Sequence, residues 1–239
     1  AFDDELTLRE ALARSPNTTF LALLDRLGSV DPVVDVARRL GLRTTLAAPG
    51  PDGRSLAERV RAAEQASFTL GPDPTSPLDL ANVAATITAG GTWCPPTLVA
   101  RVTDRAGRDV APPAPHCERA VSPEIAEQLR TALSQDHVDG TAAGAADEAG
   151  WQRPMIGKTG TTQRSASAAF LGATDRYAAA VMAFSLDDSE PVCVDPVRTC
   201  SDGDLTGGSV PADTWFDLMT PLHRGSDAVT PPDPDRDED

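Results

Sequence analysis

Apolar residues in the first third of the chain recur at helical spacing, with short polar breaks between the runs. Thr7-Leu8-Arg9-Glu10 has the form of a capping box, Leu8, Ala11 and Leu12 share one face, and the pattern stops at Ser15-Pro16-Asn17. A second helix is predicted with Phe20, Leu23, Leu24 and Leu27 on its apolar side and Gly28 as terminator. Asp31 as N-cap and Pro32 at the first helical position open a third, with Val33, Val36, Ala37 and Leu40 turned inward before Gly41. Ser15-Pro16-Asn17 therefore occupies a break between two packed helices.

Arg43 to Arg54 reads as a loop and Ser55 to Gln65 as an exposed helix. Ser76-Pro77 opens a helix that ends at Gly90-Gly91, and Ser122-Pro123 another that runs to about Gln135, with Ile125, Leu129 and Leu133 buried. Turns of small residues are expected around Gly140 and Gly144. From Met155 the period changes. Residues 155–162, 168–173 and 177–186 are short runs separated by turn residues, which predicts an antiparallel meander of three strands. A cysteine loop, a Gly207-Gly208 turn and a closing helix from about Pro211 to Leu222 follow. The layout is α+β, with helices packed on one antiparallel sheet.

The length of 239 residues allows a buried core of the chain's own. A net charge of −15 argues against a nucleic-acid partner, which would need a basic face. Much of the acidity lies in residues 225–239, where Pro alternates with Asp and Glu; this segment reads as a disordered tail, a linker to a further module being the alternative. Residues 1–224 are then one unit. Leu80 to Ala100 is long enough to cross a bilayer, but Gly90-Gly91 and Pro95-Pro96 make it a helix and a turn. The N-terminus carries acids where an export signal has basic residues, so any targeting element is expected outside this chain.

Cys94, Cys117, Cys193 and Cys200 allow three pairings. Local pairing, Cys94 with Cys117 and Cys193 with Cys200, would staple two surface excursions and suits an oxidising compartment. A zinc site built on His116 and Cys117 is the rival; it lacks C-x-x-C spacing, and His137 and His223 lie far off in sequence.

Candidate chemistry centres on the single lysine, in Gly157-Lys158-Thr159-Gly160-Thr161-Thr162. A strand bearing Lys, hydroxyls and a glycine that admits a ligand to the backbone suits a carboxylate on an extended peptide. Taken alone, the same letters describe a surface turn equally well. A phosphate-binding loop would need glycine at position 152, which is Gln152. Ser15-Pro16-Asn17 alone is a cap, with Asn17 bonding the free amides of the next helix.

Together, and in matching order with Leu8 to Phe20, Val33 to Leu42, Thr69 to Pro96, Ser167 to Thr174 and Thr206 to Trp215, these segments resemble the C-terminal part of the transpeptidase domain of class A penicillin-binding proteins of high-GC Gram-positive type. That family joins three motifs at one cleft, S-x-x-K, S-x-N and K-T-G. The resemblance implies a penicillin-binding-protein transpeptidase fold and D,D-transpeptidase chemistry on D-Ala-D-Ala stem peptides of peptidoglycan, with β-lactams as ligands. Ser15 would relay a proton, Asn17 would bond the substrate backbone and Lys158 would join the network. Thr159 and Thr161 would hold the terminal carboxylate, the Thr161 N–H would supply half of an oxyanion hole, and Gly160 would keep the strand open. No metal or organic cofactor is called for.

One departure is plain. S-x-x-K needs a lysine three residues after a serine, and Met155 stands at that spacing from Lys158. The acylating serine is therefore expected outside these 239 residues, in an N-terminal part of the domain whose strands would lie against residues 177–186. An anchor at the outer face of the cell membrane is expected there too. The alternatives are a binding module without catalysis and a D,D-carboxypeptidase relative.

Overall fold

The computed structural model describes residues 6–110, 115–186 and 190–225. The expected tail, apart from Gly225, lies outside them.

The N-terminal helices form as their punctuation requires. α1 (Leu8–Arg14) starts at Thr7, whose hydroxyl accepts from Glu10 N–H while the Glu10 carboxylate accepts from Thr7 N–H. α2 (Asn17–Leu27) begins after Pro16 and has no side-chain cap, so Asn17 does not serve as one. α3 (Asp31–Leu40) is capped by Val30, which puts Asp31 inside its first turn rather than at the cap. α4 (Arg43–Ala47) stands where a loop was expected, and α5 (Leu56–Ala62) follows a second capping box at Ser55. Leu24, Val30, Val34, Leu46, Leu56 and Val60 close this helical layer into its own core.

α6 (Pro77–Thr88) runs along the sheet and ends in β1 (Thr92–Trp93). The hairpin β2 (Val102–Thr103) and β3 (Asp109–Val110) is exposed, and β4 (Glu118–Arg119) returns to pair with β1. Cys94 and Cys117 flank the Trp93–Glu118 pair and are joined by a disulfide. α7 (Pro123–Leu133) buries Ala126 but leaves Ile125 48% exposed, against expectation. α8 (Ala143–Glu148) is a helix where only turns were expected; at 6 residues, with a glycine inside, it is too short to show a period.

The meander is as expected: β5 (Ile156–Thr161), β6 (Ser167–Ala173) and β7 (Ala178–Phe184), antiparallel and in the order β5-β6-β7. Alternation along β6 sends Leu171 and Ala173 toward α6 and α7, and Phe170 toward the other face. There β8 (Val192–Val194) and β9 (Val197–Thr199) form a hairpin closed by the Cys193–Cys200 disulfide, and α9 (Val210–Leu222) follows. α9 lays Trp215, Phe216 and Met219 on Phe170, so helices cover both faces of the sheet. Among the described residues β5 and β7 are its two edges. No helix of the described residues is long and apolar enough to cross a membrane.

Candidate active site

Ser15 is the C-cap of α1 and adopts a left-handed conformation, φ 57° and ψ 43°. Its N–H bonds Ala11 O at 2.8 Å, and buried Pro16 then redirects the chain into α2. The side chain is thus held at a corner, and β5 passes beside it. Lys158 Nζ donates to Ser15 Oγ at 2.9 Å, across a sequence separation of 143, and to Thr159 O at 3.0 Å. These are charge-assisted bonds in a half-buried setting, stronger than the same contacts in water. Burial pushes the Lys158 ammonium below its ordinary pKa, with the Asp136 carboxylate opposing that shift.

β5 is an edge, and its alternation decides which backbone groups are free. Thr162 N–H bonds Ser167 O on the side of β6, whereas Thr159 N–H points the other way, to Asp136 Oδ2 at 3.1 Å. Thr161 shares the side of Thr159, so its N–H and C=O face away from β6. A Cβ built on exposed Gly160 meets nothing within 4 Å, so the surface over the strand is open. Thr161 Oγ1 accepts from Gly207 N–H at 3.0 Å, which leaves its own proton to donate outward.

A corner serine, a partly desolvated lysine and an open strand edge with adjacent donors meet at one place. The penicillin binding protein transpeptidase domain family matches residues 2–193. The chain belongs to that family.

Relatives agree with this transpeptidase domain. Penicillin-binding protein 1A of Mycobacterium tuberculosis is 25% identical over 236 residues, 95% of this chain and 27% of the relative. Penicillin-binding protein 1A of Aquifex aeolicus is 27% identical over 235 residues, 95% of this chain and 28% of the relative. The chain thus spans about a quarter of the length of the curated relatives it matches. Among solved structures, PonA1 from M. tuberculosis superposes with TM-score 0.73 at 22% identity, over 95% of this chain and 60% of that one. Penicillin-binding protein 1A from Haemophilus influenzae gives 0.75 at 18% identity, over 96% and 36%. The resemblance to a class A transpeptidase domain, and its fold, are borne out.

Of the expected site residues, Lys158 touches both Ser15 and Thr159, while Gly160 and Thr161 continue the same edge. Asn17 is exposed on the first turn of α2, two residues beyond Ser15. The sequence reading missed Asp136 and Thr141. Thr141 Oγ1 donates to Asp136 Oδ1 at 2.6 Å and lies in hydrogen-bonding contact with Thr159 Oγ1. Nothing marks one acid among 36 in the sequence; burial to 1% exposure together with its bond to β5 singles Asp136 out.

Proposed function

We propose that this chain supplies the S-x-N and K-T-G parts of a serine D,D-transpeptidase that cross-links D-Ala-D-Ala stem peptides of peptidoglycan. The observation that carries this is the 2.9 Å bond from Lys158 Nζ to Ser15 Oγ. It brings together two motifs that mean little apart.

In the proposed chemistry a serine outside these 239 residues attacks the carbonyl between the two D-alanines and gives its hydroxyl proton to the lysine of its own S-x-x-K motif. The oxyanion forms against the outward N–H of Thr161, and the terminal carboxylate accepts from the Thr161 hydroxyl, beside Thr159. Ser15, whose oxygen accepts from Lys158, passes its own proton to the departing D-alanine amine as the C–N bond breaks. An amine of a second stem peptide then attacks the acyl ester and returns a proton to Ser15, while the S-x-x-K lysine gives its proton back to the departing serine oxygen. Asn17 bonds the donor peptide's backbone, which adds to the β5 edge as an extra strand.

β-Lactams would acylate the same serine. One structural neighbour, PonA1, is described in complex with penicillin V. The edge strand β7 and its apolar ends, Tyr177 40% and Phe184 57% exposed, suit further strands from the remaining part of the domain. The two disulfides fit an extracytoplasmic site at the outer face of the cell membrane, with an anchor elsewhere in the protein.

The test is labelling of the complete protein by fluorescent penicillin. Wild type is expected to label and Lys158→Ala to lose it. Unchanged labelling of Lys158→Ala would reject the site, and an unlabelled wild type would favour a binding module without catalysis.

A further inference from the structure

The turn between α7 and α8 brackets both halves of the site. Gly140 lets it close: a Cβ there would meet Asp136 Cα at 2.7 Å, Asp136 O at 2.8 Å and Ala13 O, in the last turn of α1, at 2.7 Å. The turn therefore lies against the Ser15 corner. From it Asp136, 1% exposed, directs its carboxylate at β5. Three donors converge on it: Thr141 N at 3.1 Å and Thr141 Oγ1 at 2.6 Å on Oδ1, and Thr159 N at 3.1 Å on Oδ2. A carboxylate only accepts, so the Thr141 hydroxyl proton is committed to Asp136. The contact between Thr141 Oγ1 and Thr159 Oγ1 is then donated by Thr159. Asp136 in this way directs the Thr159 hydroxyl through Thr141, and leaves Thr161 as the side chain whose proton is free for a ligand carboxylate.

We propose that Asp136 is a positioning residue for the transpeptidase site: it holds the Thr159 backbone, orients the Thr159 hydroxyl through Thr141, and keeps a negative charge beside Lys158. This rests on the function proposed above. The Asp136 charge favours the Lys158 ammonium against the effect of burial. Asp139 in the same turn and Asp147 and Glu148 on α8 are carboxylates too, but they are exposed to water. Arg14 ends α1 with a basic side chain. His137 is pushed below its ordinary pKa by burial, so it is neutral in the alkaline range. Glu127 and Arg130 on α7 pair with each other, and β6 carries no titratable side chain.

The experiment compares wild type, Asp136→Asn and Thr141→Val in the complete protein, measuring acylation by fluorescent penicillin across pH. Asp136→Asn is expected to slow acylation about 10- to 100-fold and to move the alkaline limb of the profile to lower pH, because the charge that favours the ammonium is gone. Thr141→Val keeps that charge and is expected to slow acylation without moving the limb. A folded Asp136→Asn protein with wild-type rate and limb overturns the proposal. Should Asp136→Asn not fold, Thr141→Val acylating at the wild-type rate overturns it equally. A wild type that no penicillin acylates refutes the proposed function itself, and is distinguishable because no variant is needed to see it.

Discussion

Gly207→Ala tests whether the loop before α9 holds the K-T-G strand. An alanine Cβ at 207 would stand 2.5 Å from Ala169 O and 2.8 Å from both Gly160 N and Gly160 O. Relaxed contacts need about 3.5 Å, so loop and strands must part by about 1 Å. All three atoms are backbone, and no side chain can rotate away. Overpacking of this kind costs about 1–3 kcal/mol, which lowers the melting temperature by roughly 2–12 °C in a domain of this size. The same displacement pulls Gly207 N–H from Thr161 Oγ1, now at 3.0 Å. A reacting edge moved by about 1 Å loses up to about 100-fold in rate. The assay is penicillin acylation in the complete protein, followed by fluorescence, with melting by calorimetry. Gly144→Ala is the control: a Cβ there meets nothing within 4 Å, and alanine suits α8 better than glycine. Gly207→Ala acylating at the wild-type rate with unchanged melting would refute the reasoning. A lowered melting temperature with a full rate would refute only its coupling to the site.

Lys158 titrates below its ordinary value of 10.5, so acylation is expected to fall away at a pH under that value, and a limb at or above it rejects the role of burial. Between the lowered pKa and 10.5 the unfolded chain keeps a proton that the folded state has released, so the Lys158 contribution to stability rises with pH across that window. Denaturant titrations at several alkaline pH values, wild type against Lys158→Met, read that slope. Trp215, 0% exposed and ringed by Trp151, Phe170 and Phe216 at 5.1–5.6 Å, should cost about 3–5 kcal/mol as Trp215→Ala; guanidinium unfolding checks it. Replacing Cys94 and Cys117 by serine should cost about 3.4 kcal/mol, and Cys193 with Cys200 about 2.4 kcal/mol, since the closed loops span 23 and 7 residues. The reverse order in urea unfolding would contradict loop entropy as the cause.

Local chemistry made much of this protein legible from its residues alone. Capping at Thr7, the helix starts at Pro77 and Pro123 and the three strands after Met155 follow from short-range steric and hydrogen-bonding rules, which act within a few residues, and both disulfides join the cysteines nearest in sequence. Ile125 and Asp31 departed from expectation because a helix's buried face and its first residue depend on what packs beside it. α8 and the short ladder β1–β4 gave no period to read, since 6 and 2 residues cannot repeat one. The order of residues held the motif letters, Ser15-Pro16-Asn17 and Lys158 to Thr161, and a single lysine to serve them. Folding alone settled that Lys158 reaches Ser15 across 143 positions, that the Thr161 N–H faces outward, and that the Asp136 carboxylate takes the Thr159 N–H. Those facts depend on distances between elements set by packing, and distance through space is not written along a chain.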